Sequence, residues 1–458
     1  MTSPIKTFLL LGASGDLAGR LLLPAFGQLL DAQPHRRDIV LIGAGAEDWD
    51  EATWTERVRT SFAEGQVSTD TRDAVLATTQ YHRADVTAAP DLTTLVNAGP
   101  PAPALFFALP PAVTVLACTA LQQVALPPGT ALVLEKPFGT DETTAVALNQ
   151  LLTQLVPEEQ VHRVDHFLGR STVLNLLGLR FANRLFEPVW NAEHIQSVEI
   201  TFDEQLTLEN RARYYDRAGA MVDMIQSHLL QILALVAMDP PAKVDSTELR
   251  EAKATVLRAC RVWDDDPATA GRRARYTAGT IEGRQVPDYV AEPGVEPDRN
   301  TETLAEVTVQ VDNWRWAGVP FRLRSGKALK DRVKEVVIHF KAAQHVPTGL
   351  SGQAPPDLLR LSMGPDRMSL EMNVNGPADP LELDRAVLSA DIGAGRLPAY
   401  GEVLAGVFDG DPLLSVRGDT AEQCWRIVDP VVQAWRDGKT PMDTYPAGST
   451  APESWSHP

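Results

Sequence analysis

Thr7-Phe8-Leu9-Leu10-Leu11-Gly12-Ala13-Ser14-Gly15-Asp16-Leu17-Ala18 is the stretch that decides the fold. Five residues without a charge read as a strand buried on both faces, cut off by a glycine. An amphipathic run from Leu17 to Leu30 then reads as a helix. Ile39-Val40-Leu41-Ile42-Gly43, Ala104-Leu105-Phe106-Phe107-Ala108-Leu109 and Ala131-Leu132-Val133-Leu134 repeat the apolar pattern, separated by helical stretches. Continuous apolar strands alternating with helices predict a parallel sheet covered on both faces, an α/β doubly wound (Rossmann-like) N-terminal domain. Small residues between strand and helix let the backbone approach a pyrophosphate, whose charge meets free N–H groups at the helix start. Gly12, Ala13, Ser14, Gly15, Asp16 and Leu17 are therefore candidate cofactor ligands. The spacing departs from GxGxxG, so a tight turn with no ligand is the alternative.

Past Asp165 the pattern changes. Ser171 to Asn183 and Arg217 to Met238 read as helices. Ser197 to Phe202, Glu306 to Val311, Pro320 to Arg324, Val333 to Lys341 and Met368 to Val374 read as strands. Irregularly spaced strands with few helices predict a C-terminal α+β domain built on a large, mostly antiparallel sheet. The division expected is 1–168 for dinucleotide binding and 169–458 for substrate binding and oligomerisation. Length supports two domains, because 458 residues exceed what one core ordinarily holds. Pro/Gly-rich stretches at Ala98 to Pro103 and Val346 to Pro356 read as surface loops, and the end of the chain beyond Pro441 as poorly ordered.

The net charge of −18 argues against nucleic acid or an anionic membrane as partner. It leaves room for a local cationic pocket. Cys118, Cys260 and Cys424 are far apart and show no metal-ligand spacing, so a reducing compartment is expected and a metal site is not. The first residues lack the long apolar stretch of a signal peptide, and no run was expected to reach the ~20 apolar residues of a membrane span. A cytoplasmic protein is the expectation.

Two further motifs narrow the chemistry. Glu135-Lys136-Pro137-Phe138-Gly139 follows a strand at what would be the carboxyl edge of the sheet, where open α/β sheets bind ligands. Arg163-Val164-Asp165-His166-Phe167-Leu168-Gly169-Arg170 concentrates charge, imidazole and glycine at the proposed junction. With Tyr214-Tyr215-Asp216, Asp223-Met224-Ile225-Gln226-Ser227-His228-Leu229-Leu230-Gln231, Gly318 to Leu329 (GVPFRLRSGKAL), Cys424-Trp425-Arg426-Ile427-Val428-Asp429-Pro430 and Tyr445-Pro446-Ala447-Gly448-Ser449, the chain resembles the glucose-6-phosphate dehydrogenase family over nearly its whole length.

The resemblance implies oxidation of C1 of glucose 6-phosphate to the 6-phosphogluconolactone, with hydride transfer to NADP or NAD, in the oxidative pentose phosphate pathway. It implies His228 as the base, Asp165 as the carboxylate that orients it, and Lys136 near the reacting oxygen and the cofactor. Imidazole suits a proton acceptor near neutral pH. A histidine on an apolar helix is otherwise a packed core residue, and the surrounding motif reverses that default. His166 and Arg170 are implied for the phosphate, Glu204, Asp223 and Lys327 for the sugar, with Arg332 adding charge. A homodimer or homotetramer is implied as well.

The departures concern ligands. Gly43-Ala44-Gly45-Ala46-Glu47-Asp48-Trp49 has Ala46 and Glu47 where NADP-using members carry arginine. Glu47 would accept from a ribose 2′-hydroxyl and repel a 2′-phosphate, which points to use of NAD at least as well as NADP; the alternative is that Glu47 is a solvated loop acid and another cation holds the phosphate. Gly19-Arg20-Leu21 replaces a lysine pair, and Phe167 and Arg170 replace a tyrosine and a lysine. A dehydrogenase for a related phosphosugar or amino-sugar phosphate, and a non-catalytic sugar-phosphate-binding or nucleotide-binding regulator, are the competing readings.

Overall fold

The computed structural model describes residues 5–209, 211–393 and 395–455. The chain forms two compact units: Met1–Ser171 with Pro241–Glu251 and Gly395–Gln423, and Thr172–Pro240 with Ala252–Ala394 and Cys424–Pro458.

The first unit is built on a seven-stranded sheet in the order Ser415–Val416, Val161–Val164, Ala131–Glu135, Pro103–Phe107, Thr7–Leu11, Val40–Gly45, Gln80–Arg83. All neighbours run parallel except Ser415–Val416 against Val161–Val164. The order reverses direction at Thr7–Leu11, which pairs with Val40 on one side and Pro103 on the other. A crevice must open beyond the carboxyl end of such a strand, because the connecting helices leave to opposite faces. Thr7–Leu11 is buried at every position, as its uninterrupted apolar run requires. Gln80–Arg83 is a polar, half-exposed edge strand and so carries no apolar signature. The core beneath the sheet is aromatic: Phe8 touches Phe26, Phe106 and Phe408 with ring centroids 5.2, 6.1 and 5.5 Å apart. Phe408 belongs to the helix Ala399–Asp409, supplied by a late segment of the chain.

The expected helix from Leu17 begins as a wide π turn, Ala18–Leu22, and continues as Leu23–Ala32. Gly19 leaves room for the Arg57 guanidinium, which donates to the Gly15 carbonyl at 2.8 Å.

The second unit carries a ten-stranded, mostly antiparallel sheet. Its order is Leu383–Asp391, Asp366–Asn375, Leu358–Met363, Lys334–Phe340, Ile195–Asp203, Phe321–Gly326, Leu304–Val311, Gly271–Thr277, Met442–Pro446, with Cys260–Val262 beside Leu304–Val311. Two pairings are parallel: Phe321–Gly326 with Ile195–Asp203, and Met442–Pro446 with Gly271–Thr277. Beyond Pro441 the strand Met442–Pro446 joins this sheet, and buried Trp455 donates to Asp443 at 2.8 Å. Residues 456–458 lie outside the described residues. The expected helix Arg217 to Met238 proves to be three pieces, Ala212–Ala220, Met221–Leu229 and Leu230–Ala237. Together they form a run long and apolar enough to cross a membrane, contrary to expectation. Because 89% of its apolar window is buried within the protein, it is read as a core helix.

Candidate active site

In the first unit, Gly12 turns the chain with φ +86, a conformation that disfavours any side chain. A Cβ at Gly12 would sit 2.4 Å from the Ala108 carbonyl oxygen, so the turn lies directly against the neighbouring strand end. Gly12 and Ala13 both donate to the Ala44 carbonyl, at 2.8 and 3.0 Å, which anchors the start of the loop to the adjacent strand. Gly15 donates to the Gly12 carbonyl at 3.0 Å, and Asp16 and Leu17 open the helix.

A groove of about 780 Å³ lies along this turn, lined by Gly12, Ser14, Gly15, Glu47, Arg83 and Pro110 among others. Glu47 is held in place: its Oε2 accepts from the Ser14 hydroxyl at 2.6 Å, and the Tyr81 hydroxyl donates to its carbonyl at 3.1 Å. Gly45 makes the room, since a Cβ there would lie 2.9 Å from both that Oε2 and the Tyr81 hydroxyl. Burial, reinforced by the Glu47 charge, holds the Tyr81 hydroxyl above its ordinary pKa, so it stays a donor. Arg83 is the cation in this lining, and it pairs with Asp48 at 3.3 Å.

At the carboxyl end of Ala131–Glu135, Glu135 and Lys136 are half-buried. Desolvation pushes the Glu135 carboxyl up to about 8, against the Tyr400 hydroxyl and the Lys136 charge, which act the other way. Val161–Val164 delivers buried Asp165, whose Oδ1 accepts from the Phe167 amide at 2.9 Å and so caps the short turn His166–Gly169. His166 stacks on Tyr400 with centroids 5.2 Å apart and planes 13° apart. Arg170 lies over the Phe167 ring at 4.8 Å, so the phenylalanine fixes the guanidinium by its π face. These contacts tie the motif to the helix Ala399–Asp409, which no local signal announces.

In the second unit, Asp223 and His228 lie on Met221–Leu229 and are both buried. The Tyr214 hydroxyl donates to Asp223 Oδ1 at 3.1 Å. Glu204, just past the end of Ile195–Asp203, is gripped by two ammonium groups: Lys327 Nζ at 2.9 Å and Lys334 Nζ at 3.3 Å. Burial would raise the Glu204 carboxyl, but the charges of Lys327 and Lys334 outweigh it and hold it below its ordinary pKa. Lys327 also faces the Tyr215 ring at 5.2 Å, and Lys334 the Phe202 ring at 3.8 Å.

Lys327, Glu204, Tyr215 and Lys334 thus form one cluster within this unit. Arg332 is exposed, and the cation that reaches Glu204 is Lys334, two residues on. The charged run Lys330-Asp331-Arg332-Val333-Lys334 hid it. Its signal was the alternation of the strand it begins, which pairs Lys334 with Phe202 and turns it inward. Tyr214, Tyr215 and Glu135 were likewise given no role from sequence.

These side chains supply the parts of an acid–base dehydrogenase: imidazole and carboxylates, cations for an anionic substrate, and a backbone-lined groove for a nucleotide. The chain matches the family model described as glucose-6-phosphate dehydrogenase, NAD binding domain, over residues 9–175, and the C-terminal domain model of the same family over 177–457. It is 38% identical to the glucose-6-phosphate 1-dehydrogenase of Gluconobacter oxydans, covering 97% of this chain and 94% of that one. For the Bacillus subtilis enzyme the figures are 33%, 98% and 96%. Among solved structures, the glucose-6-phosphate 1-dehydrogenase of Mycobacterium avium superposes with a TM-score of 0.85 at 30% identity, covering 99% of each chain. A glucose-6-phosphate dehydrogenase solved in complex with its substrate glucose 6-phosphate reaches 0.88 at 26% identity, covering 99% of this chain and 97% of that one. Matched end to end, this chain belongs to the glucose-6-phosphate dehydrogenase family.

Proposed function

We propose that this chain is a glucose-6-phosphate 1-dehydrogenase that oxidises the C1 hydroxyl of glucose 6-phosphate to the 6-phosphogluconolactone, the first step of the oxidative pentose phosphate pathway. One observation carries the reading: two models of a single family account for residues 9–175 and 177–457. His228 takes the C1 hydroxyl proton on an imidazole nitrogen, and Asp165 stabilises the imidazolium formed. Lys136 steadies the reacting oxygen. His166 and Arg170 hold the phosphate, while Glu204, Asp223 and Lys327 orient the sugar hydroxyls.

The dinucleotide, when bound, supplies the hydride acceptor. The residues fit such a group, because Gly12, Ser14 and Gly15 of the turn line a groove of about 780 Å³ that runs on to Glu47. Gly12, Ala13, Ser14, Gly15, Asp16 and Leu17 would hold its pyrophosphate and Glu47 its ribose. NAD is the better partner than NADP in this reading. The groove lining offers Glu47, Asp85 and Asp91 against Arg83, whose charge is already engaged by Asp48. A 2′-phosphate dianion would meet net negative charge there.

A cytoplasmic homodimer or homotetramer completes the proposal. Support for self-association comes from the outer strands Asp366–Asn375 and Leu383–Asp391, which leave Val374, Val387 and Leu388 exposed. All three cysteines are free, as a reducing compartment favours.

The test is an absorbance assay for reduced nicotinamide with glucose 6-phosphate or an amino-sugar phosphate, and with NAD or NADP. Turnover of glucose 6-phosphate with higher kcat/KM on NAD is expected. Preference for the amino sugar, or for NADP, refutes the corresponding half.

A further inference from the structure

The helix carrying Asp223 and His228 is broken at its start. Gly219 has φ +64 and ψ 178, which interrupts Ala212–Ala220 just before Met221–Leu229 begins. The new segment then winds as a π-helix, with the Leu230 amide donating to the Ile225 carbonyl five residues back. The Ser227 hydroxyl occupies the widened turn and donates to the Asp223 carbonyl at 2.6 Å. Backbone breaks of this kind leave amides without helical partners, and a buried helix start needs an acceptor for them.

That acceptor comes from the loop just before the strand Leu304–Val311. Glu302 is 7% exposed, and its Oε1 accepts from the Met221 amide at 2.9 Å. Burial pushes the Glu302 carboxyl up to about 7, with the Met221 amide, its own amide and the Ala220 amide acting the other way. The carboxylate fits because residue 219 is glycine: a Cβ there would stand 2.2 Å from Oε1 and 2.6 Å from Cδ. Its neighbours fasten the same spot. The Thr301 hydroxyl donates to the Asp216 carbonyl at 2.6 Å, on the near side of the break. The Lys327 amide donates to the Thr303 carbonyl at 2.9 Å. The Tyr445 hydroxyl, 2.8 Å from the Thr303 hydroxyl, donates to the Lys327 carbonyl at 2.7 Å. Three consecutive residues thus clip both sides of the helix break and the backbone of Lys327.

We propose that Glu302 is a positioning residue, whose buried carboxylate sits in the Gly219 notch, caps Met221–Leu229 and so sets the orientation of Asp223 and His228 for turnover. The proposal rests on the reading of His228 as base, but Glu302 touches neither substrate nor cofactor in it.

The test uses the full chain and the variants Glu302→Ala, Glu302→Gln and Gly219→Ala, assayed with glucose 6-phosphate and each nicotinamide dinucleotide. Glu302→Ala should lower kcat about 10- to 100-fold, the effect of misplacing a reacting group by about 1 Å, with little change in the dinucleotide KM. Glu302→Gln keeps an acceptor oxygen and should restore most of kcat. Gly219→Ala should resemble Glu302→Ala. In parallel, hydrogen–deuterium exchange at Met221–Leu229 should accelerate in the alanine variants relative to Glu302→Gln. Equal kcat and equal exchange in folded Glu302→Ala and wild type would overturn the proposal, as would a lowered melting temperature with kcat unchanged. If Glu302→Ala does not fold, Glu302→Gln against Glu302→Asp decides. A shorter carboxylate as active as wild type refutes the cap, and loss with Asp but not Gln supports it. An inactive wild type would sink the dehydrogenase reading instead, and the exchange data would still judge the cap.

Discussion

The nucleotide groove and the Glu204 cluster solve opposite problems with opposite materials. The groove is backbone work: a glycine turn with φ +86, two amides tied to the Ala44 carbonyl, and Glu47, aimed by Ser14 and left exposed. The Glu204 cluster is side-chain work, with a half-buried carboxylate between two ammonium groups drawn from more than 120 residues away in sequence, by the separations of 123 and 130. Backbone placement depends on the neighbouring strand and tolerates no Cβ. Side-chain placement depends on every partner remaining, because an ion left alone in a buried site has lost its compensation. Damage to the groove should therefore act through shape, and damage to the cluster through charge.

The largest effect is expected at the proposed base. His228→Asn should lower kcat by about 10²–10⁴-fold while the KM for glucose 6-phosphate changes little, measured by steady-state kinetics. An unchanged kcat would assign the base elsewhere. In the cluster, Lys327→Ala should raise the KM for glucose 6-phosphate by about 10- to 100-fold, the worth of one charge-assisted hydrogen bond. If Lys327→Met behaves as Lys327→Ala and Lys327→Arg recovers, charge is the operative property. In the groove, Gly12→Ala should strain the backbone by about 1–3 kcal/mol and weaken both dinucleotides together, read as parallel rises in their KM values. A rise for one dinucleotide only would place the damage in specificity instead of shape. Glu47→Ala is the mildest of these, expected to lower the NAD to NADP ratio of kcat/KM by about tenfold.

A fifth prediction concerns stability. Desolvation pushes the Glu302 carboxyl up to about 7 from an ordinary value near 4.5. A folded-state pKa above the unfolded one means the protonated form favours folding. That contribution is complete below about pH 4.5 and is lost as pH rises through about 7. Glu302→Gln removes the ionisation, so its melting temperature relative to wild type should climb between pH 5 and pH 8. A flat difference across that range would mean the carboxyl keeps its ordinary pKa.

Much of this was legible from residues alone, for identifiable reasons. Thr7–Leu11 is buried on both faces, so burial imprints directly on its composition, and the glycine turn that follows is local chemistry. Gln80–Arg83, a half-exposed edge strand, left no such imprint and was missed. The same holds for Lys334, whose charged neighbours disguised an inward-facing strand residue, and for Glu302, an acid with no local reason to be buried.

Sequence alone sufficed for the alternation of strands and helices, the glycine turn, Glu47 beyond the second strand and the order of family motifs, since each is written in neighbouring residues. Tertiary structure alone decided which groups meet: Lys327 and Lys334 on Glu204, Tyr400 on His166, and Glu302 in the Gly219 notch. Such encounters join segments far apart in the chain, and the free energy that selects them resides in the packed core instead of in either segment.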